Sequence, residues 1–191
     1  MIEGGYYHVF NRGNNGDIIF YEEENYDYFL KKFRQYLDPF VDVFSYCLMN
    51  NHFHFLIRIK ENEKLQYQNL TKQLALTPIE KAFRDFFISY AKSINKKYHR
   101  TGSLFQYKFK RKQIEDEIYL KNLIRYIHLN PVEAGICSVA SDYNFSSFNA
   151  ITKNDCEWLG SKEIIEMFED INNFKAFHLM ENTNFELDFQ T

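Results

Sequence analysis

The stretch that most limits what this chain can become is VDVFSYCLMNNHFHFLIRIK, residues 41–60. Two strongly apolar runs, Val41–Met49 and Phe53–Lys60, flank Asn50-Asn51, a pair suited to a tight hairpin turn. Such runs read as a buried β-hairpin, yet His52 and His54 sit at the head of its second arm. In a strand, residues two apart point to one side, about 6.6 Å apart along the chain. Both imidazoles therefore project together, while Phe53 and Phe55 face the opposite layer.

Around the hairpin the pattern alternates between strand and helix. YYHVFNR (6–12) reads as a strand ended by the turn cluster Gly13-Asn14-Asn15-Gly16. Tyr26, Phe29, Leu30, Phe33 and Leu37 fall at helical spacing over Glu22–Leu37, with acidic residues in the first turn and Asp38-Pro39 closing it. Residues 61–77 read as a polar loop with one helical turn. A long amphipathic helix is expected from Pro78 to about Tyr98, and His99-Arg100-Thr101-Gly102 breaks it. Ser103–Ile114 reads as extended, Glu115–Leu129 as a helix stopped by Pro131, 132–160 as irregular and 161–181 as a final helix. The order β-α-β-β-α-β-α predicts an α+β fold, an antiparallel sheet with helices packed on one face. One domain over 1–150 is expected, followed by an acidic, mostly helical extension over 151–191.

The formal net charge of −3 hides an uneven distribution: −3 over residues 1–80, +8 over 81–125 and −8 over 126–191. The basic middle interleaves aromatics, as in SLFQYKFKRKQ (103–113), a composition that suits phosphate neutralisation and base stacking as well as a solvated lysine-rich face. Lys92, Lys96, Lys97, Arg100, Lys108, Lys110, Arg111 and Lys112 form the candidate DNA track, with Arg12 beside it and Phe105 and Tyr107 as candidate stacking rings. No stretch approaches a membrane span, and the N-terminus lacks the pattern of a signal peptide. Cys47, Cys137 and Cys156 are odd in number and unpatterned, as in a reduced, cytoplasmic protein. The tail's acidity suggests a segment that packs near the basic track and limits nonspecific access of DNA.

Two imidazoles at this spacing can share a metal ion, or can be hydrogen-bonded histidines of a half-buried sheet face. The helix EDEIYLKNLIRYIHLNP offers Tyr126 and Asn130 four residues apart on one face, about 6 Å apart along its axis. Asn130 carries a carbonyl oxygen suited to a hard cation, and Tyr126 a phenol one turn away. They can also be a helix cap and a core aromatic. Tyr119, two turns earlier, is the fallback nucleophile, with Leu123 where Asn130 follows Tyr126. His8 and His128 have no spacing that suggests a ligand role.

YYHVFNRGNN (6–15), YCLMNNHFHFLIR (46–58), RTGSLFQYKFK (100–110) and YLKNLIRYIHLNPVEAGI (119–136), in that order, resemble the REP-associated tyrosine transposases. These are a branch of the single-tyrosine HUH endonucleases, named for a His-hydrophobic-His motif. The resemblance covers roughly residues 5–150; members commonly carry proline at the position of Asn50. It implies a ferredoxin-like HUH fold, Tyr126 as nucleophile, and His52, His54 and Asn130 holding a divalent ion, Mg or Mn. It also implies nicking and rejoining of single-stranded or hairpin DNA through a 5′-phosphotyrosine, by a monomer or homodimer with no membrane partner. A non-catalytic binder of structured single strands and a zinc hydrolase using an activated water are the other readings the residues allow.

Overall fold

The structure is a computed structural model that describes residues 1–61 and 76–180. The first unit is strand β1 (Tyr6–Arg12), helix α1 (Glu23–Leu37), and strands β2 (Val41–Met49) and β3 (His52–Ile59). Helix α2 (Pro78–Lys97), strand β4 (Lys110–Ile114) and helix α3 (Glu117–Glu133) follow. Three short helices complete the described residues: α4 (Phe148–Lys153), α5 (Ser161–Met167) and α6 (Ile171–Leu179). The loop expected over 61–77 and the end of the acidic tail lie mostly outside the described residues.

The four strands lie in the order β2-β3-β1-β4, every neighbouring pair antiparallel. With the β-α-β-β-α-β order of the chain, this is the ferredoxin-like arrangement. Asn50-Asn51 is the two-residue turn, since Met49 pairs directly with His52.

Helices cover both faces of the sheet, where the sequence pattern suggested one. On one face Phe53 and Phe55 meet α1 and α2: Phe33 stacks on Phe55 at 4.3 Å, and Phe29 lies 5.1 Å from Phe53 and 4.9 Å from Phe86. The buried positions of α1 and α2 recur at helical spacing, from Tyr26 to Leu37 and from Ile79 to Ile94. Thr77 and Glu80 start α2 with a reciprocal capping box around Pro78. The other face, which carries His52 and His54, is crossed by α3. A hairpin with buried residues on both faces needs this double cover, because both sides of its strands must leave water.

Pro131 does not stop α3, contrary to expectation. The helix runs to Glu133 and is closed by Gly135, whose φ is +68°, where Ile136 N–H bonds Pro131 O (2.8 Å) and Gly135 N–H bonds Val132 O (2.9 Å). This is the Schellman pattern, which satisfies the last carbonyls through a left-handed residue. Asn130 therefore remains helical, one turn beyond Tyr126.

The segment before β4 is less regular than the extended run expected over Ser103–Ile114, because Lys108 has φ +76°. Residues 104–106 instead bond to the end of β1, through Asn14 N–H to Leu104 O (3.0 Å) and Gln106 N–H to Arg12 O (3.0 Å). The single helix expected over 161–181 is two, α5 and α6, broken where Glu169 takes φ +70° and Asp170 caps α6. The extension packs on the sheet: Leu159 bridges Val43, and Glu163 meets Arg58 at 2.6 Å. Among the described residues no helix is long and apolar enough to cross a membrane.

Candidate active site

The sheet register fixes which side chains share the α3 face. Arg12 pairs with His52, Phe10 with His54 and with Lys110, and His8 with Lys112. Directly opposed residues point the same way, so two histidines of β3, a third of β1 and three cations lie on one face. The turn after β1 holds this corner in place. Gly13 N–H bonds Asn51 O at 2.7 Å, and a Cβ on Gly13 would sit 1.8 Å from Asp17 O, so only glycine lets the chain after β1 fold back so tightly on itself beside the hairpin turn.

Helix α3 brings the remaining groups. Asn130 Oδ1 lies 3.0 Å from His52 Nε2, and its side chain also interacts with Tyr126. The Tyr126 ring stands edge-on to His54 at 5.5 Å, and the His52 and His54 rings are 5.3 Å apart. A cavity of about 280 Å³ opens here, lined by Arg12, Asn51, His52, His54, Lys110 and Tyr126, with Phe10, Asn11 and Gln106.

Burial lowers the proton affinity of His52, with a further push from Arg12, against a hydrogen bond to Asn130 that raises it. His54 is driven well below the ordinary histidine value by burial, then by His8 and His52. Both rings are thus neutral, each with one N–H and one lone pair. The phenol of Tyr126 is raised by burial, partly offset by its bond to Asn130.

The donor set fits a hard divalent cation. Asn51 Nδ2 donates to Gly16 O (3.4 Å), which turns its oxygen to His52 Nδ1 at 2.7 Å. The neutral ring has one proton for its two amide-oxygen contacts: with the proton on Nε2 the 3.0 Å contact is a hydrogen bond to Asn130, and with it on Nδ1, held by Asn51, Nε2 turns a lone pair toward the Asn130 oxygen. In that second tautomer a cation between the two lone pairs would relieve their repulsion. Two donors on one ion at roughly 2.1 Å and at right angles are themselves about 3 Å apart. Among the described residues no group of three or more His, Cys, Asp or Glu could hold a metal, so an amide has to complete such a set.

No protein-family model matches the chain. A Haemophilus influenzae (strain ATCC 51907 / DSM 11121 / KW20 / Rd) protein named "Putative REP-associated tyrosine transposase" is 28% identical over 136 residues, 66% of this chain and 70% of that protein. A solved structure described as a REP-associated tyrosine transposase bound to a REP hairpin superposes with a TM-score of 0.60 at 15% identity, over 80% of this chain and 81% of that one. The chain resembles the REP-associated tyrosine transposases.

In this chain, similar to the REP-associated tyrosine transposases, the candidate DNA residues do not form one track. Arg12, Lys110 and Lys112 share the face of the histidine pair, and the first two line its cavity. Lys92, Lys96 and Lys97 belong to α2, which covers the opposite face; Lys97 pairs with Glu22 and Glu24. Arg100 is held by Asp17 (2.7 Å), and Arg111 by Glu80 (3.2 Å). Lys108 is exposed in the bend before β4. Phe105 is buried in the core, whereas Tyr107 is 88% exposed, so only Tyr107 presents a ring for stacking.

Tyr119 accepts a hydrogen bond from Lys112 Nζ (3.1 Å) and is not part of the cavity lining. His128 points away from the cavity into a buried cluster with His178 (2.9 Å) and Ser147 (2.8 Å). His8, given no role from its spacing, touches His54. Asn51, read only as a turn residue, holds His52. Neither contact can be foreseen without the β1–β3 register and the turn geometry.

Proposed function

We propose that this chain is a transposase that nicks and rejoins single-stranded DNA at hairpin-forming palindromic repeats, with Tyr126 as nucleophile. The observation that carries this reading is the convergence of His52, His54 and Tyr126 on one cavity rimmed by Arg12 and Lys110, with Asn130 against His52 beside it. The similar solved structure is described as bound to a REP hairpin, which supports a hairpin substrate here.

His52, His54 and Asn130 would hold a Mg or Mn ion, two imidazoles with a hard amide oxygen. Such an ion, when bound, supplies polarisation of the scissile phosphate and charge stabilisation at the leaving oxygen. Arg12 and Lys110 neutralise neighbouring phosphates and hold the strand across the cavity. The Tyr126 oxygen attacks phosphorus as the P–O3′ bond breaks, leaving a 5′-phosphotyrosine and a free 3′-hydroxyl. The phenol gives up one proton and the 3′-oxygen takes one, so none is consumed. The phosphodiester energy is kept in the tyrosyl ester, and a second 3′-hydroxyl can reverse the step to join strands.

The test is incubation with hairpin DNA and manganese, followed by mass spectrometry. A peptide containing Tyr126 bearing an oligonucleotide is expected, and Tyr126→Phe should lose cleavage almost completely. Cleavage that survives Tyr126→Phe with no adduct would favour a hydrolase using water. Tight hairpin binding with no cleavage by the wild type would favour a non-catalytic binder.

A further inference from the structure

The sequence and the family resemblance leave His8 without a role, yet it is the most intimately placed neighbour of His54. It lies at the centre of β1, 0% exposed. Its Nε2 is 2.9 Å from His54 Nδ1, and the two rings are tilted by only 17° at 5.1 Å. Phe10 stacks on His8 at 4.6 Å and on His54 at 5.7 Å, so neither ring can rotate without displacing it.

Two neutral imidazoles sharing one short contact share one hydrogen. If it sits on His54 Nδ1, His54 Nε2 is a bare lone pair. If it sits on His8, His54 Nδ1 accepts, its own proton moves to Nε2, and it cannot ligate a cation. Histidines that bind metals almost always donate their other N–H to a fixed acceptor, which sets tautomer and ring angle. On the opposite side of His8, Lys112 shares its face in the β1–β4 register.

We propose that His8 is a positioning residue of this site, accepting the His54 Nδ1–H bond and so presenting His54 Nε2 to the cavity. The inference rests on the reading of His54 as a metal ligand, and makes an acceptor at position 8 part of the site. Asn51 does the same for His52, so each histidine of the pair has its own acceptor, one from a strand and one from a turn.

The test uses the full chain labelled with ¹⁵N in its histidines, together with His8→Leu and His8→Gln. Metal-free wild type should show His54 protonated at Nδ1 and bare at Nε2. Binding of Mn²⁺, measured by titration calorimetry, should weaken roughly 10–100-fold in His8→Leu. His8→Gln, whose amide oxygen can accept the same bond, should recover most of it. A volume effect alone would not distinguish the two variants. His54 protonated at Nε2 in the wild type overturns the inference, as does Mn²⁺ affinity equal in His8→Leu and wild type. If wild type binds no Mn²⁺, the metal reading fails separately, and the tautomer still decides the role of His8.

Discussion

At His52 both ring nitrogens are engaged by side-chain amides, Nδ1 by Asn51 at 2.7 Å and Nε2 by Asn130 at 3.0 Å. In the proposed site one amide orients the ring and the other would share its ligand position, so the two asparagines should fail differently. Asn51→Ala leaves all proposed ligands present but frees the ring to turn. Manganese affinity should fall about tenfold or more, with the fold retained; unchanged affinity would show that the turn does not orient His52. Lys110 lines the same cavity. As the proposed phosphate contact it would set affinity without reading bases, so Lys110→Ala should lower the salt slope of hairpin binding by about 1. A slope equal to that of the wild type would remove Lys110 from the DNA path.

Helix α3 depends on where it stops. Because Gly135 provides the left-handed cap, Asn130 stays in register with Tyr126. No atom crowds a Cβ at Gly135, so Gly135→Ala isolates the cost of the positive φ. That cost should be about 1 kcal/mol, seen as a melting point lower by roughly 2–4 °C; an unchanged melting point would contradict the cap. The elements themselves were largely legible, because helical spacing in α1 and α2 and alternation in β1 are properties of local sequence. Pro131 misled because proline in a final helical turn loses a hydrogen bond without ending the helix, and the glycine four residues later decides. The second covered face was hidden for another reason. An all-apolar strand shows that both its sides are buried, but not what buries them. The histidine pair, Tyr126 and Asn130 could be paired from spacing, whereas His8 and Asn51 enter only through tertiary neighbours.

Across the whole molecule, buried imidazoles tie the extension to the helix that bears Tyr126. His128 of α3 bonds His178 of α6, and Arg125 donates to Phe177 O (3.0 Å) near the end of α6. His178 is lowered to about 4 by burial, and His128 well below its ordinary value of 6.5, also by burial. The unfolded chain binds protons on these groups below about pH 6.5, while the folded chain refuses them until far lower pH. Stability is therefore fully present above about 6.5 and is lost as pH falls through 6 and 5 toward 4. For His178 alone the loss from pH 7 to pH 5 should be roughly 2 kcal/mol. Urea unfolding in metal-free buffer at several pH values would show it; a flat profile would contradict the neutral histidine cluster.

In the proposed site a strand pair and a distant helix would put two imidazoles, an amide and a phenol around one cation. Anomalous diffraction from crystals of the full chain grown with manganese would see that cation in place. One ion is expected, bonded to His52 Nε2, His54 Nε2 and Asn130 Oδ1, beside the Tyr126 hydroxyl. A manganese ion held elsewhere, with that cavity empty, would contradict the proposal.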